Sequence, residues 1–269
     1  MTRLSILKAA EFLLWSRRSG AGPGDLPREL EPADLEHGYA IQLETAKLRG
    51  QPVAGYKVGL THPAAQQAAG VSAPIAGRLA AGDIVRGPGP IQLAPQHLRI
   101  VEAELVFEIG RTLSESDLPI REQTLRESVS AVYAGLELCN SRLSAADPPL
   151  PSVVADNSNA DLLIIGEPLP DWQTKLRGEL PVQLTRRSGD PVHGSSLRVL
   201  GSPLKSVIWL AGWLLSRGER LEPGALIASG SCTGMTEIAR NDAVTAVFGD
   251  AAKVAAEFKS TQNVIEARA

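Results

Sequence analysis

Glu102 and Glu104 stand two residues apart in Val101-Glu102-Ala103-Glu104-Leu105-Val106-Phe107-Glu108-Ile109. Apolar residues at 101, 103, 105, 107 and 109 alternate with acids at 102, 104 and 108, the period-two pattern of a half-buried strand. Alternation puts both carboxylates on one face, about 6 to 7 Å apart along the strand. Charges that close need a wet surface, a shared proton or a cation between them. Glu137, within Ala134-Gly135-Leu136-Glu137-Leu138-Cys139, is a third acid, in an apolar stretch where an unpaired carboxylate is costly to bury. Three carboxylates converging from two strands would make an all-oxygen site for a hard divalent ion such as Mg²⁺. The same alternation also suits two acids that merely cover an exposed strand face, and spacing alone leaves both readings open.

Other residues could join such a site. Lys57 lies inside the apolar run Val53-Ala54-Gly55-Tyr56-Lys57-Val58-Gly59-Leu60. A buried ammonium has a depressed pKa and can exchange protons near neutrality, whereas a lysine at a strand end snorkels to water. His62, between Thr61 and Pro63, reads as a loop histidine at the surface, and His97 and His193 have no partners at zinc-ligand spacing. Gly230-Ser231-Cys232-Thr233-Gly234 is a small-residue loop that either lets a ligand approach the backbone or simply turns. Asp156-Asn157-Ser158-Asn159 either lines a pocket or makes a turn. The sequence has no Walker loop, nucleophile elbow or GxGxxG, so phosphate-loop, serine-hydrolase and dinucleotide chemistry lack support.

The elements expected to position these groups begin with helices. Apolar spacing predicts one over Ser5 to Arg17, broken by Ala21-Gly22-Pro23-Gly24, and a second from Asp34 to about Leu48. Val53 to Leu60 reads as a strand and Ala64 to Ala69 as a short helix closed by Gly70. Short strand-like runs follow: Asp83 to Val85, Leu98 to Ile109, Val153-Val154, Leu162 to Ile165, Val182 to Leu184 and Leu226 to Ser229. Helices are expected over Leu125 to Ala134 and, apolar nearly all round and so buried, over Leu204 to Ser216. The loosely alternating tail, Asn241 to Phe258, should end the sheet. Early helices and later strands read as an α+β fold with a mainly antiparallel or mixed sheet. With no repeat or linker, the expectation is a single domain over 1–269, with a helical cap over about 1–52 and a β-rich catalytic core over about 53–269.

Composition narrows the class. A net charge of −3 without a Lys/Arg run argues against nucleic acid as a partner, and aromatic content of 4% against a stacking platform. Cys139 and Cys232, far apart and outside any CxxC, argue against a disulfide scaffold and a thiolate zinc site and suit a reducing cytoplasm. Neither a signal peptide nor an uninterrupted apolar span is legible, so a soluble cytoplasmic protein without a membrane partner is expected.

Several stretches, in order, resemble one family. They are Tyr39-Ala40-Ile41-Gln42, Gly55-Tyr56-Lys57-Val58-Gly59-Leu60-Thr61, Gly70-Val71 through Pro74 to Gly77-Arg78-Leu79, and Val101-Glu102-Ala103-Glu104-Leu105. Leu136-Glu137 with Ser141-Arg142, Val154-Ala155-Asp156-Asn157-Ser158, Leu200-Gly201-Ser202-Pro203 and Ser229-Gly230-Ser231 complete the series. Together they resemble the 2-keto-4-pentenoate hydratase / 4-oxalocrotonate decarboxylase family of the fumarylacetoacetate hydrolase superfamily. The resemblance implies a mixed β-sheet roll or barrel with a helical N-terminal region. It implies Mg²⁺ or Mn²⁺ held by Glu102, Glu104 and Glu137, Lys57 as the catalytic group beside it, and substrate contacts from Leu60, Arg142, Asp156, Asn157 and Ser231.

The implied activity is that of a metal-dependent lyase. It would hydrate a small 2-hydroxydienoate or 2-oxoenoate, such as 2-hydroxypenta-2,4-dienoate, in the meta-cleavage catabolism of aromatic compounds. A 2-oxo acid can chelate a divalent ion, which stabilises the enolate formed when a proton or CO₂ leaves. The same site could therefore serve a 4-oxalocrotonate-type decarboxylase. Ile75-Ala76-Gly77, where the hydratases carry Asp-aromatic-Gly, leans toward decarboxylation; Gly201-Ser202-Pro203 and Ser229-Gly230-Ser231 lean toward hydration. Asn140 and His62 also depart from the family pattern. A metal-binding but silent subunit beside a pathway partner is a third reading. Family habit and the apolar 204–216 segment imply a homo-oligomer.

Overall fold

A computed structural model describes residues 1–19, 24–87, 89–93, 100–144, 147–239 and 241–260. His97 and residues 21–23 of the expected helix break lie outside these. In chain order the elements are α1 (Arg3–Ser19), α2 (Leu35–Arg49), β1 (Val53–Gly59), α3 (Pro63–Ala68), β2 (Ile75–Ala80), β3 (Ile84–Arg86) and β4 (Pro90–Leu93). Then come β5 (Ile100–Ile109), α4 (Glu122–Ser128), β6 (Val129–Cys139), α5 (Leu150–Ala155), β7 (Ala160–Pro168) and α6 (Trp172–Lys175). The chain continues with β8 (Pro181–Arg186), β9 (Gly189–Ser195), α7 (Pro203–Leu215), β10 (Leu226–Ser231), β11 (Thr236–Glu237), β12 (Ala243–Phe248) and β13 (Ala252–Ser260).

The strands form two mixed sheets. The larger runs β2-β1-β10-β5-β6-β7-β3, with β11 beside the start of β5; β1–β10 and β3–β7 are parallel and the other pairs antiparallel. The smaller runs β4-β13-β12-β8-β9. On β5 the odd residues Val101, Ala103, Leu105 and Phe107 enter the main core with Leu136 and Leu138 of β6, Phe248 of β12 and Phe258 of β13. The opposite face is not wet either. Val106 packs there with Leu79, Leu163, Ile165, Leu226 and Ala228, because the larger sheet curls until β2 approaches β7. Glu102 and Glu104 therefore point into a curl, and the reading of a plain exposed strand face does not hold.

The helices brace the curl. Asp34 caps α2 by accepting from the His37 N–H at 2.8 Å, and Gly50 at φ 66° ends it. From α2, Gln42 Nε2 donates to the carbonyls of Ala76 and Val154, both at 2.9 Å, tying β2 to α5. Arg17 of α1 and Arg49 of α2 both bind the Asp83 carboxylate just after β2.

Two expected elements change type. Val153-Val154 lies in α5, where Pro151 occupies the first turn, suited to a proline with no N–H to offer. The helix expected over Leu125 to Ala134 stops at Ser128; Val129, Val132 and Tyr133 favour a pleated surface and open β6 instead, with Val129 paired to Ile109. β2 escaped the sequence reading because all six of its residues are buried, which leaves no alternation to see. The strands Pro90–Leu93, Gly189–Ser195 and Thr236–Glu237 were not anticipated either. Residues 243–260 close the second sheet as the β12–β13 hairpin. No helix among the described residues is long and apolar enough to cross a membrane.

Candidate active site

The β5–β6 ladder brings the acids together. Glu102 pairs directly with Glu137, Glu104 pairs with Gly135, and on its other side Glu104 pairs with Ser231 of β10. Glu104 and Glu137 are fully buried and Glu102 is half-buried. Glu104 Oε2 accepts the Gly230 N–H at 2.8 Å, while Oε1 has no hydrogen-bond partner, and neither oxygen of Glu137 has one. Orphaned buried carboxylate oxygens are costly. Lys57, two strands away from β5 in the sheet, reaches this group: its Nζ lies 3.2 Å from Glu137 Oε1, an ion pair with both side chains buried.

One ammonium does not neutralise three carboxylates. Burial, then repulsion from Glu137 and Glu102, pushes the Glu104 carboxyl well above its usual range. Burial pushes Glu137 up to about 7, with Lys57 pulling it down and Glu102 pushing it up. Burial alone would lower the Lys57 pKa, but Glu137 and the neighbouring acids outweigh it and raise the net value. The depressed lysine considered from sequence is thus corrected; Lys57 stays an ammonium because it faces carboxylates and not apolar side chains alone. More acids than cations and two unpartnered oxygens, Glu104 Oε1 and Glu137 Oε2, suit a divalent cation.

The sequence overlooked Cys139 as a member of this site. It follows Glu137 by two residues and so shares its face of β6, and its Sγ donates to Glu102 Oε2 at 3.5 Å. Ligand atoms of Glu102, Glu137 and Cys139 all lie within 4.8 Å of one another. Glu104 is not in that tight group, since one of its oxygens is turned to Gly230. Period-two spacing from Glu137 was the available signal. Gly230 itself, at φ 112°, has no room for a side chain: a Cβ there would sit 2.3 Å from Thr61 Oγ1.

The remaining expected site residues fall into two groups. Leu60 (φ 54°) follows the end of β1, and Ser231 ends β10, where it pairs with Glu104. Leu60 accepts from Gln66 Nε2 at 2.8 Å through its carbonyl, and Ser231 Oγ accepts the Gly234 N–H at 2.9 Å, closing the loop. Arg142 and Asp156 are instead buried and spent on each other. Arg142 Nε donates to Asp156 Oδ1 at 2.5 Å, its backbone N–H to Oδ2 at 2.7 Å, and its remaining guanidinium nitrogens to the carbonyls of Asp156 and Ala160. Asn157 accepts from the Arg78 N–H at 2.8 Å and donates to the Arg78 carbonyl at 2.7 Å, holding β2 where Gly77 abuts the Lys57 stem. These three residues brace the site from outside it and line a cavity of about 30 Å³ against α1 and α2. His62 is exposed and caps α3. Ile75 is buried, and a Cβ added to Gly59 would meet both Ile75 Cγ1 (3.1 Å) and Lys57 Nζ (3.7 Å), so Ile75 flanks the ammonium.

Comparison with known proteins fits this geometry. No family model matches the chain. The TodF product hydratase of Pseudomonas putida is 30% identical over 262 residues, 94% of this chain and 95% of the relative. The 2-keto-4-pentenoate hydratase of Paraburkholderia xenovorans is 30% identical over 259 residues, 95% of each chain. The solved structure of 4-oxalocrotonate decarboxylase from Pseudomonas putida G7, complexed with magnesium and adipate, superimposes with a TM-score of 0.85 at 27% identity, covering 96% of this chain and 98% of that one. The expected fumarylacetoacetate-hydrolase-like α+β fold is borne out. Similarity at this identity and coverage makes the chain a member of the 2-keto-4-pentenoate hydratase / 4-oxalocrotonate decarboxylase family.

Proposed function

We propose that the chain is a divalent-metal-dependent lyase that hydrates a small 2-hydroxydienoate or 2-oxoenoate, with 2-hydroxypenta-2,4-dienoate as the first substrate to test. The observation that carries this is the buried Lys57 ammonium 3.2 Å from Glu137, on the same floor as the unpartnered oxygens of Glu104 and Glu137. Glu102, Glu104 and Glu137 would hold Mg²⁺ or Mn²⁺. When bound, the ion supplies Lewis acidity toward the carboxylate and oxo oxygens of a 2-oxo acid.

The protein's own groups then divide the work. Lys57, kept cationic by the acids around it, faces the developing enolate charge, donates a proton to C5 of the 2-hydroxydienoate and regains one from the 2-hydroxyl; water then adds its oxygen at C4 and a proton at C3. The Gly230 N–H fixes Glu104, and Asn157 fixes the strand against the Lys57 stem, so the charged groups are held before substrate arrives. Leu60 and Ser231 border the entrance and would contact the substrate, while Arg142 and Asp156 act through the packing of the loop that carries them.

Decarboxylation of a 4-oxalocrotonate-type 2-oxo acid is the second reading, favoured by one observation. Ile75 puts an apolar side chain beside Lys57, where an acid would help to handle water. Following absorbance with 2-hydroxypenta-2,4-dienoate, and CO₂ release with 2-oxohex-3-enedioate, separates the two. Turnover of the first alone supports the hydratase, CO₂ from the second alone the decarboxylase, and inactivity on both until a partner enzyme is added the silent subunit.

The reading extends to the whole molecule. The chain forms one domain, its helical cap over about 1–52 clasped to the β-rich core by Arg17, Gln42 and Arg49. It works in the cytoplasm as a homo-oligomer, to which the half-buried Ile208, Trp209 and Trp213 of α7 offer apolar surface.

A further inference from the structure

We propose that the metal centre of this chain includes the Cys139 thiolate, so that it takes a borderline ion such as Zn²⁺, Co²⁺ or Fe²⁺ in preference to Mg²⁺. The proposal rests on the reading of Glu102, Glu104 and Glu137 as a cation site and names the class of ion that site selects. Cys139 lies on the same face of β6 as Glu137, and its Sγ is 3.5 Å from Glu102 Oε2. One oxygen of each of these acids and this sulfur lie within 4.8 Å of one another, close to the ~4.3 Å that an oxygen and a sulfur on one ion span.

A second observation is independent of the cysteine. Glu137 is fully buried in the same ligand group, its Oε1 paired with Lys57 and its Oε2 without a hydrogen bond, and Glu104 Oε1 is likewise unpartnered. The Glu137 carboxylate, one oxygen of Glu102 and the Cys139 sulfur form one tight group, which Glu104 does not join. Mg²⁺ takes oxygen ligands almost exclusively, so it would leave the sulfur unused; thiolate is the ligand that favours softer first-row ions. Binding replaces the thiol proton, which leaves for solvent, and the ion keeps its oxidation state. Cys232, the other thiol, is buried and its backbone N–H donates to the Ala103 carbonyl at 2.8 Å; it is absent from the ligand group.

The test titrates Co²⁺ into chelator-stripped full-length protein under reducing conditions, recording absorption spectra, with binding measured separately by calorimetry. Wild type should bind one Co²⁺ per chain and develop a thiolate-to-cobalt charge-transfer band in the near ultraviolet. Cys139→Val, close in volume and suited to a strand, should still bind Co²⁺ but lose the band, and its preference for Zn²⁺ over Mg²⁺ should fall about tenfold or more. Calorimetric binding of Co²⁺ to wild type without the band would overturn the thiolate while leaving the carboxylate site standing. A band that persists in Cys139→Val would assign the sulfur elsewhere and also overturn it. No Co²⁺ binding to wild type would remove the cation site and the proposal together.

Discussion

Lys57 and Glu137 form a buried ion pair, Nζ to Oε1 3.2 Å, although β10 and β5 lie between the strands that carry them. The curl of the sheet makes the meeting possible. Removing only Lys57 leaves Glu137 buried and uncompensated, so in chelator-treated protein Lys57→Met should lower stability by about 3 kcal/mol. The double replacement Lys57→Met with Glu137→Leu should recover most of that in a urea titration. Neither variant should turn over substrate at more than about a hundredth of the wild-type rate.

Asp83 offers a pH test away from the acids. Burial alone would raise its pKa, but Arg49, whose two nitrogens reach its oxygens at 2.6 and 2.7 Å, and Arg17 at 3.0 Å hold it below the usual carboxylate range. A folded pKa below the unfolded one means that the clasp stabilises fully above the unfolded value. That contribution is lost as pH falls through the folded value. Asp83→Asn should cost about 3 kcal/mol at neutral pH. The gap between variant and wild-type urea midpoints should stay level above pH 5 and narrow below about pH 4. A gap that widens in acid would reverse the sign.

Gly230 cannot carry a side chain without moving Thr61 or giving up its N–H bond to Glu104. Gly230→Ala should cost about 3 kcal/mol from the clash and the positive φ together. Any folded fraction should be slowed by about a hundredfold or more, because Glu104 is no longer fixed. Thermal melts and steady-state rates on the same preparation check both halves.

Asn157 is bonded to both backbone groups of Arg78, and the proposed reading makes it a positioning residue. Loss of its two bonds to the Arg78 backbone in Asn157→Ala should cost about 2 kcal/mol. It should lower kcat by about tenfold with little change in KM, since Gly77 then no longer holds the Lys57 stem. A change confined to KM would instead place Asn157 in contact with substrate.

Much of the site is legible in the sequence. The period-two spacing of Glu102 and Glu104 put them on one face, and the ordered motifs named the third acid and the lysine. What spacing could not reveal was which way that face pointed, because alternation reads the same over water or over a second buried layer; the packing of Val106 against Leu79 and Leu163 decides it. Neither reading open for Lys57, a depressed buried ammonium or one snorkelling to water, holds, since its neighbours in sequence are apolar and its neighbours in space are acids. The pairing of Arg142 with Asp156 joins residues from separate segments, which no local pattern reveals.

Chelation followed by metal return probes the carboxylate centre most directly. Protein stripped with EDTA and dialysed should lose about 99% or more of its turnover of 2-hydroxypenta-2,4-dienoate, or of 2-oxohex-3-enedioate, and regain it when Mg²⁺, Mn²⁺ or Co²⁺ is restored. Glu104→Gln treated in parallel should stay inactive with any ion. Undiminished turnover by stripped wild type, or full activity in Glu104→Gln, would contradict a reaction that depends on a cation gathered by these acids.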